Sequence, residues 1–136
     1  MKNIYKILKS NWPLFTAQSI YLLLLGPFIG ILPYLDGGID LVQINDFYTG
    51  GFAQLFSNWG SVHPPLKVIL GSISFSVLGV NTLAYTLIGL VFGLLGLTGM
   101  WFLVKKLYNR KVAGISVLLL STSPLFLANG LFAMTD

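Results

Sequence analysis

Apolar residues along this chain gather into four runs, separated by polar stretches of unequal length. The first runs from Trp12 to Pro33. At about 1.5 Å per residue a helix over it reaches about 33 Å, enough for a hydrocarbon core of about 30 Å. Gly26-Pro27 within it predicts a kink, which neighbouring helices can accommodate. Leu66 to Leu78 is shorter, about 20 Å, and follows Pro64-Pro65, where a missing N–H costs a helix least. Thr82 to Val104 is a full span, and its Gly89, Gly93, Gly96 and Gly99 recur at steps of three and four, a smooth face for close packing. Val112 to Ala128 is near the lower length limit for a span, with Pro124 placed to bend it.

The longest polar stretch, Asp36 to Lys67, holds three of the four acidic residues and the only histidine, His63. Within it Phe47 to Trp59 predicts a short amphipathic helix. Tyr48, Phe52, Leu55, Phe56 and Trp59 share one face at spacings of three and four. Asn45 or Asp46 fits its N-cap. The aromatic face suits the membrane interface and equally suits packing against the spans.

Composition narrows the class. The chain is 55% hydrophobic and 9% charged, with a mean hydropathy of +0.82. Soluble domains carry about 25% charged residues, so an all-α integral membrane protein is expected. Cysteine is absent, which excludes disulfides and thiolate metal sites. The basic pI does not imply nucleic acid, because the cations cluster beside the spans. Lys2, Lys6 and Lys9 precede the first, and Lys105, Lys106, Arg110 and Lys111 separate the last two. Such clusters mark cytoplasmic ends. Parity then decides the topology. With the N-terminus cytoplasmic and the helix at 66–78 only lying along or dipping into the bilayer, the Lys105 cluster is inside and Asp136 shares the outer face with Asp46. The expected organisation is one membrane module over 1–136. Its spans lie at about 12–33, 82–104 and 112–128, with an outer loop at 34–65 and a short interfacial or re-entrant helix at 66–78.

Several ordered features carry a resemblance. An anchor span leads to an outer loop with an acidic residue and an aromatic amphipathic helix. His63-Pro64-Pro65-Leu66 then opens an apolar helix ending in Val77-Leu78-Gly79-Val80. The next span runs into the basic turn Lys105 to Gly114, and Ser123-Pro124-Leu125-Phe126 leads to Leu131-Phe132-Ala133-Met134-Thr135-Asp136. In this order the chain resembles the N-terminal module of GT-C membrane glycosyltransferases, among them the protein O-mannosyltransferases and the aminoarabinose transferases that modify lipid A. The resemblance implies transfer of a hexose or pentose from a polyprenyl-phosphate carrier to a glycan, lipid or protein acceptor on the non-cytoplasmic face. It implies catalytic roles for Asp46 in the first outer loop and Asp136 in the second. Many relatives carry Asp-Glu at the first position, whereas Phe47 follows Asp46 here, so Asp40 is a rival. Asp46 and Asp136 would be the ligands of a divalent cation, since hard metals favour carboxylate oxygen. His63 or Lys67 would meet the lipid phosphate.

Plainer roles stand beside these. Asp46 fits a helix cap, Asp36 and Asp40 beside Gly37-Gly38 fit turn residues, His63 fits the turn into the following helix, and Lys67 fits a side chain snorkelling to headgroups. Enzymes of the resembled group are several times longer, so an N-terminal fragment, inactive by itself, is expected. Two other readings remain open: a small non-enzymatic membrane protein (an assembly partner or transporter subunit) and a different lipid-carrier enzyme such as an oligosaccharide ligase. Ionisable residues inside the spans would mark a transporter, and the three full spans contain none.

Overall fold

A computed structural model describes residues 2–31, 35–51 and 65–132. Every regular element among the described residues is helical, as expected. They are α1 (Lys2–Leu25), a 3-10 turn (Gly26–Phe28), α2 (Leu35–Gly50), α3 (Pro65–Leu78), α4 (Thr82–Leu107), α5 (Arg110–Thr122) and α6 (Pro124–Phe132). The chain divides into two compact units. One comprises Met1–Pro27 with Phe92–Leu127, the other Phe28–Val91 with Ala128–Asp136.

In the first unit α1 packs against α5. The kink in α1 falls at Asn11 (φ −115°, ψ 17°), well before the expected Gly26-Pro27. Pro13 explains it, since its ring crowds the carbonyl four residues back and it offers no N–H. The α-helix then ends at Leu25, and Gly26-Pro27 lie in the 3-10 turn instead. Gly114 lets α5 approach, because a Cβ built there would meet the Cβ of Pro13 at 3.3 Å. Tyr21 is fully buried, and its hydroxyl fills the space a Cβ on Gly93 would need. The Tyr21 ring lies 5.5 Å from that of Phe126, which in turn covers Gly96. The glycine stripe is thus a packing face at Gly93 and Gly96. Gly99 has nothing within 4 Å and takes no part. Gln18 Nε2 donates to Thr98 Oγ1 at 3.0 Å, a polar tie of the kind that holds helices where apolar burial gives little driving force.

In the second unit α2 packs against α3. Asp36 to Asp40, expected as a turn, are helical, and the helix begins at Leu35. Leu41, Ile44 and Phe47, spaced by three, sit in or against a core with Val68, Phe75, Ala84 and Tyr85. That burial outweighs the roughly 1 kcal/mol each that Gly37 and Gly38 cost a helix. Gly51, at φ +65°, ends α2, and most of the helix expected over Phe47 to Trp59 lies outside the described residues. α3 starts at Pro65 and ends at Gly79, whose φ of +78° suits glycine. Asn81 then ties the two helices. Its Oδ1 accepts from Ala84 N and its Nδ2 donates to Leu78 O, both at 2.7 Å. Ser74 Oγ donates to the Ala84 carbonyl at 2.6 Å.

Of the expected spans, α4 alone among the described helices is long and apolar enough to cross a bilayer unbroken. Only 28% of its most apolar stretch is buried, whereas the core helix of a soluble protein is mostly buried. Val91, Phe92, Leu95, Phe102 and Leu103 are all exposed on it, an apolar surface suited to lipid. The last expected span is a bent pair, Arg110–Thr122 with Pro124–Gly130, turned by 65° where Pro124 interrupts it. α1 is long enough, but its polar residues keep it below the hydropathy of a span.

Candidate functional site

The second unit holds the described residues to which the sequence reading gave chemical roles, Asp40, Asp46 and Lys67. Asp46 lies within α2, just before its last turn, and its side chain is half-buried. Its backbone is helical, so it is not an N-cap. It also stands near the end of α2 where the helix dipole disfavours a carboxylate. Local structure therefore gives no reason for an acid there. Thr49 Oγ1 donates to the carbonyls of Asn45 at 2.9 Å and Asp46 at 3.2 Å, closing the last turn from the side.

Lys67 sits in the first turn of α3 and is 8% exposed. Its Nζ lies 5.7 Å from the centroid of the Tyr85 ring, a cation held over an aromatic face. It is thus folded against α4 and does not extend outward as a snorkelling side chain would. The same Tyr85 belongs to the core cluster that buries Phe47, next in sequence to Asp46. One apolar core therefore supports both the α2 segment bearing Asp46 and the α3 turn bearing Lys67.

That core is tightly fixed. A Cβ on Gly71 would collide with the Ile44 side chain, so α2 and α3 meet at a glycine notch. Tyr48 meets Phe75 edge-on, with centroids 6.3 Å apart and planes at 81°. Tyr85 and Gly71 were not singled out in the sequence. The only local hint was a tyrosine in the first turns of an otherwise apolar helix, which wants a polar partner when buried.

Other expected site residues are placed less fully. Asp40 is in α2, and His63 and Asp136 lie outside the described residues. No three His, Cys, Asp or Glu side chains come together among the described residues.

A family profile described as dolichyl-phosphate-mannose-protein mannosyltransferase matches residues 62–136. No curated protein and no solved structure matches the chain. The matched segment takes in His63, Lys67 and Asp136, and α3 through α6; Asp40 and Asp46 precede it.

Proposed function

Because this chain belongs to the dolichyl-phosphate-mannose-protein mannosyltransferase family, whose members are GT-C-like membrane glycosyltransferases, we propose that it works on a sugar carried by a polyprenyl phosphate. The sugar passes to a hydroxyl of a glycan, lipid or protein acceptor at the non-cytoplasmic face. The family match over residues 62–136 carries this reading, and the placement of Asp46 and Lys67 on one core supports it.

In the proposed reaction Asp46 accepts the proton of the acceptor hydroxyl as its oxygen attacks the anomeric carbon. The bond from that carbon to the phosphate oxygen breaks, and its electron pair leaves with the lipid phosphate. Lys67, with His63, meets the charge that develops there. Asp136 is the second acid, and Asp40 is the alternative to Asp46. The carrier tail stays in lipid, which is why such a site belongs at a membrane surface. We further propose that the chain crosses three times with its N-terminus cytoplasmic, α3 lying along or dipping into the outer leaflet. Asp46 and Asp136 then share one face.

The test is transfer from a radiolabelled polyprenyl-phosphate sugar in membranes expressing the gene that encodes this chain. Asp46→Asn in that gene should lower transfer by about 100-fold or more, the usual worth of a general base. Thermal unfolding should stay unchanged, because the carboxylate caps nothing. Undiminished transfer by Asp46→Asn together with a large loss by Asp40→Asn would move the base to Asp40. Undiminished transfer by both would overturn the role of this helix.

A further inference from the structure

Nothing in its own helix favours the place Lys67 takes. It lies in the first turn of α3, which carries no acidic residue, at the end where the helix dipole disfavours a cation. It is also 8% exposed, and burial costs an ammonium more than a neutral side chain. A lysine stem is flexible and ordinarily carries its head to water. Here the Nζ stands 5.7 Å from the Tyr85 centroid, within the range at which a ring face attracts a cation.

The ring is itself fixed. Tyr85 is fully buried, in one cluster with Ile44, Phe47, Val68 and Phe75. Its neighbour Ala84 is fastened twice. Ala84 N donates to Asn81 Oδ1 at 2.7 Å, and the Ala84 carbonyl accepts from Ser74 Oγ of α3 at 2.6 Å. Asn81 Nδ2 donates in turn to the Leu78 carbonyl of α3 at 2.7 Å. The start of α4 is therefore bonded to the body of α3, and Tyr85 is carried with it. A ring held on a fixed helix is a firm platform for a flexible cation.

An aromatic face holds an ammonium through the quadrupole of the ring. It places the charge without cancelling it, as a carboxylate in the same position would. The dry surround also strengthens attraction between such an ammonium and a phosphate oxygen. We infer that Tyr85 is a positioning residue, whose ring holds the Lys67 ammonium where the phosphate of the polyprenyl carrier is met. This rests on the proposed phosphate role of Lys67. Tyr85 touches neither sugar nor phosphate in it and acts through Lys67 alone.

The test measures binding of a polyprenyl monophosphate without sugar to the full chain in neutral detergent, with the polyprenyl alcohol as control. The unaltered chain should prefer the phosphate by about 10-fold or more, and Lys67→Met should remove most of that preference. Tyr85→Phe keeps the ring and should change the affinity by less than about threefold. Fluorines are then added step by step to that phenylalanine ring by amber suppression. They add little volume but drain the negative face, so packing is kept while the hold on the cation weakens. Affinity for the phosphate should fall stepwise, by about fivefold overall, with alcohol binding and Tm unchanged. In the Lys67→Met background fluorination should change nothing. No effect of fluorination, in a chain where Lys67→Met does weaken binding, would overturn the positioning role and leave the phosphate role of Lys67 standing. An equal stepwise fall in the Lys67→Met background would overturn it too. Phosphate binding undiminished by Lys67→Met would instead remove the phosphate role, and the positioning role with it.

Discussion

The two units solve the problem of polar groups beside lipid in opposite ways. The first ties Lys105 and the kink of α1 together through Asn11 and Trp101, leaving glycine notches and aromatic rings for the rest. The second draws a lysine inward onto a tyrosine and sets an aspartate partway into a helix whose own geometry does not ask for it. Charge in the first unit is placed where solvation is cheap. In the second, Lys67 is buried against Tyr85 and Asp46 is half-buried. On the proposed function, the second unit is the seat of the reaction.

The comparison breaks most sharply on activity. Lys67→Met should cut transfer by about 10- to 100-fold, while Lys106→Met should leave it within about twofold, both read in the membrane assay. Equal losses would erase the division of labour. Next come the two notches. Gly71→Ala pushes a methyl into Ile44 and should destabilise by about 1–3 kcal/mol, with Ile44→Ala restoring part of the loss in the double variant. Gly93→Ala does the same against Tyr21, and there Tyr21→Phe should be the rescuing change, since the hydroxyl is the nearest atom. Both are measured by thermal or denaturant unfolding in detergent. Asn109→Ala should cost about 1 kcal/mol through the lost cap of α5. Smallest of all, Tyr21→Phe alone should change stability little or raise it slightly, because that buried hydroxyl has no hydrogen-bond partner among the described residues.

What could be read in the sequence was what depends on neighbours along the chain. Proline set the start of α3 and the bend before α6, and an uninterrupted apolar run set α4. Asn109 and the lysines around it marked the turn between α4 and α5. What depends on distant partners was hidden. Gly37-Gly38 beside two aspartates reads as a turn, and only contact with Val68, Phe75 and Tyr85 makes it helical. In the first run the expected break was Gly26-Pro27. The kink fell near Pro13 instead, where Asn11 finds Trp101 and Lys105 far along the chain. The same holds for the site. Asp46 and Lys67 stood out in the sequence, but nothing local foretold that Lys67 would lie over Tyr85.

The glycine notch at Gly71 has a mechanical consequence. A branched side chain seated in a hollow works as a key in a slot, so α2 cannot slide or roll along α3 without first lifting out. Asp46 stands two residues beyond that key, and its height relative to the Lys67 turn is set by backbone shape alone. In the proposed reaction, the backbone that bears this carboxylate would not have to shift before a hydroxyl is received.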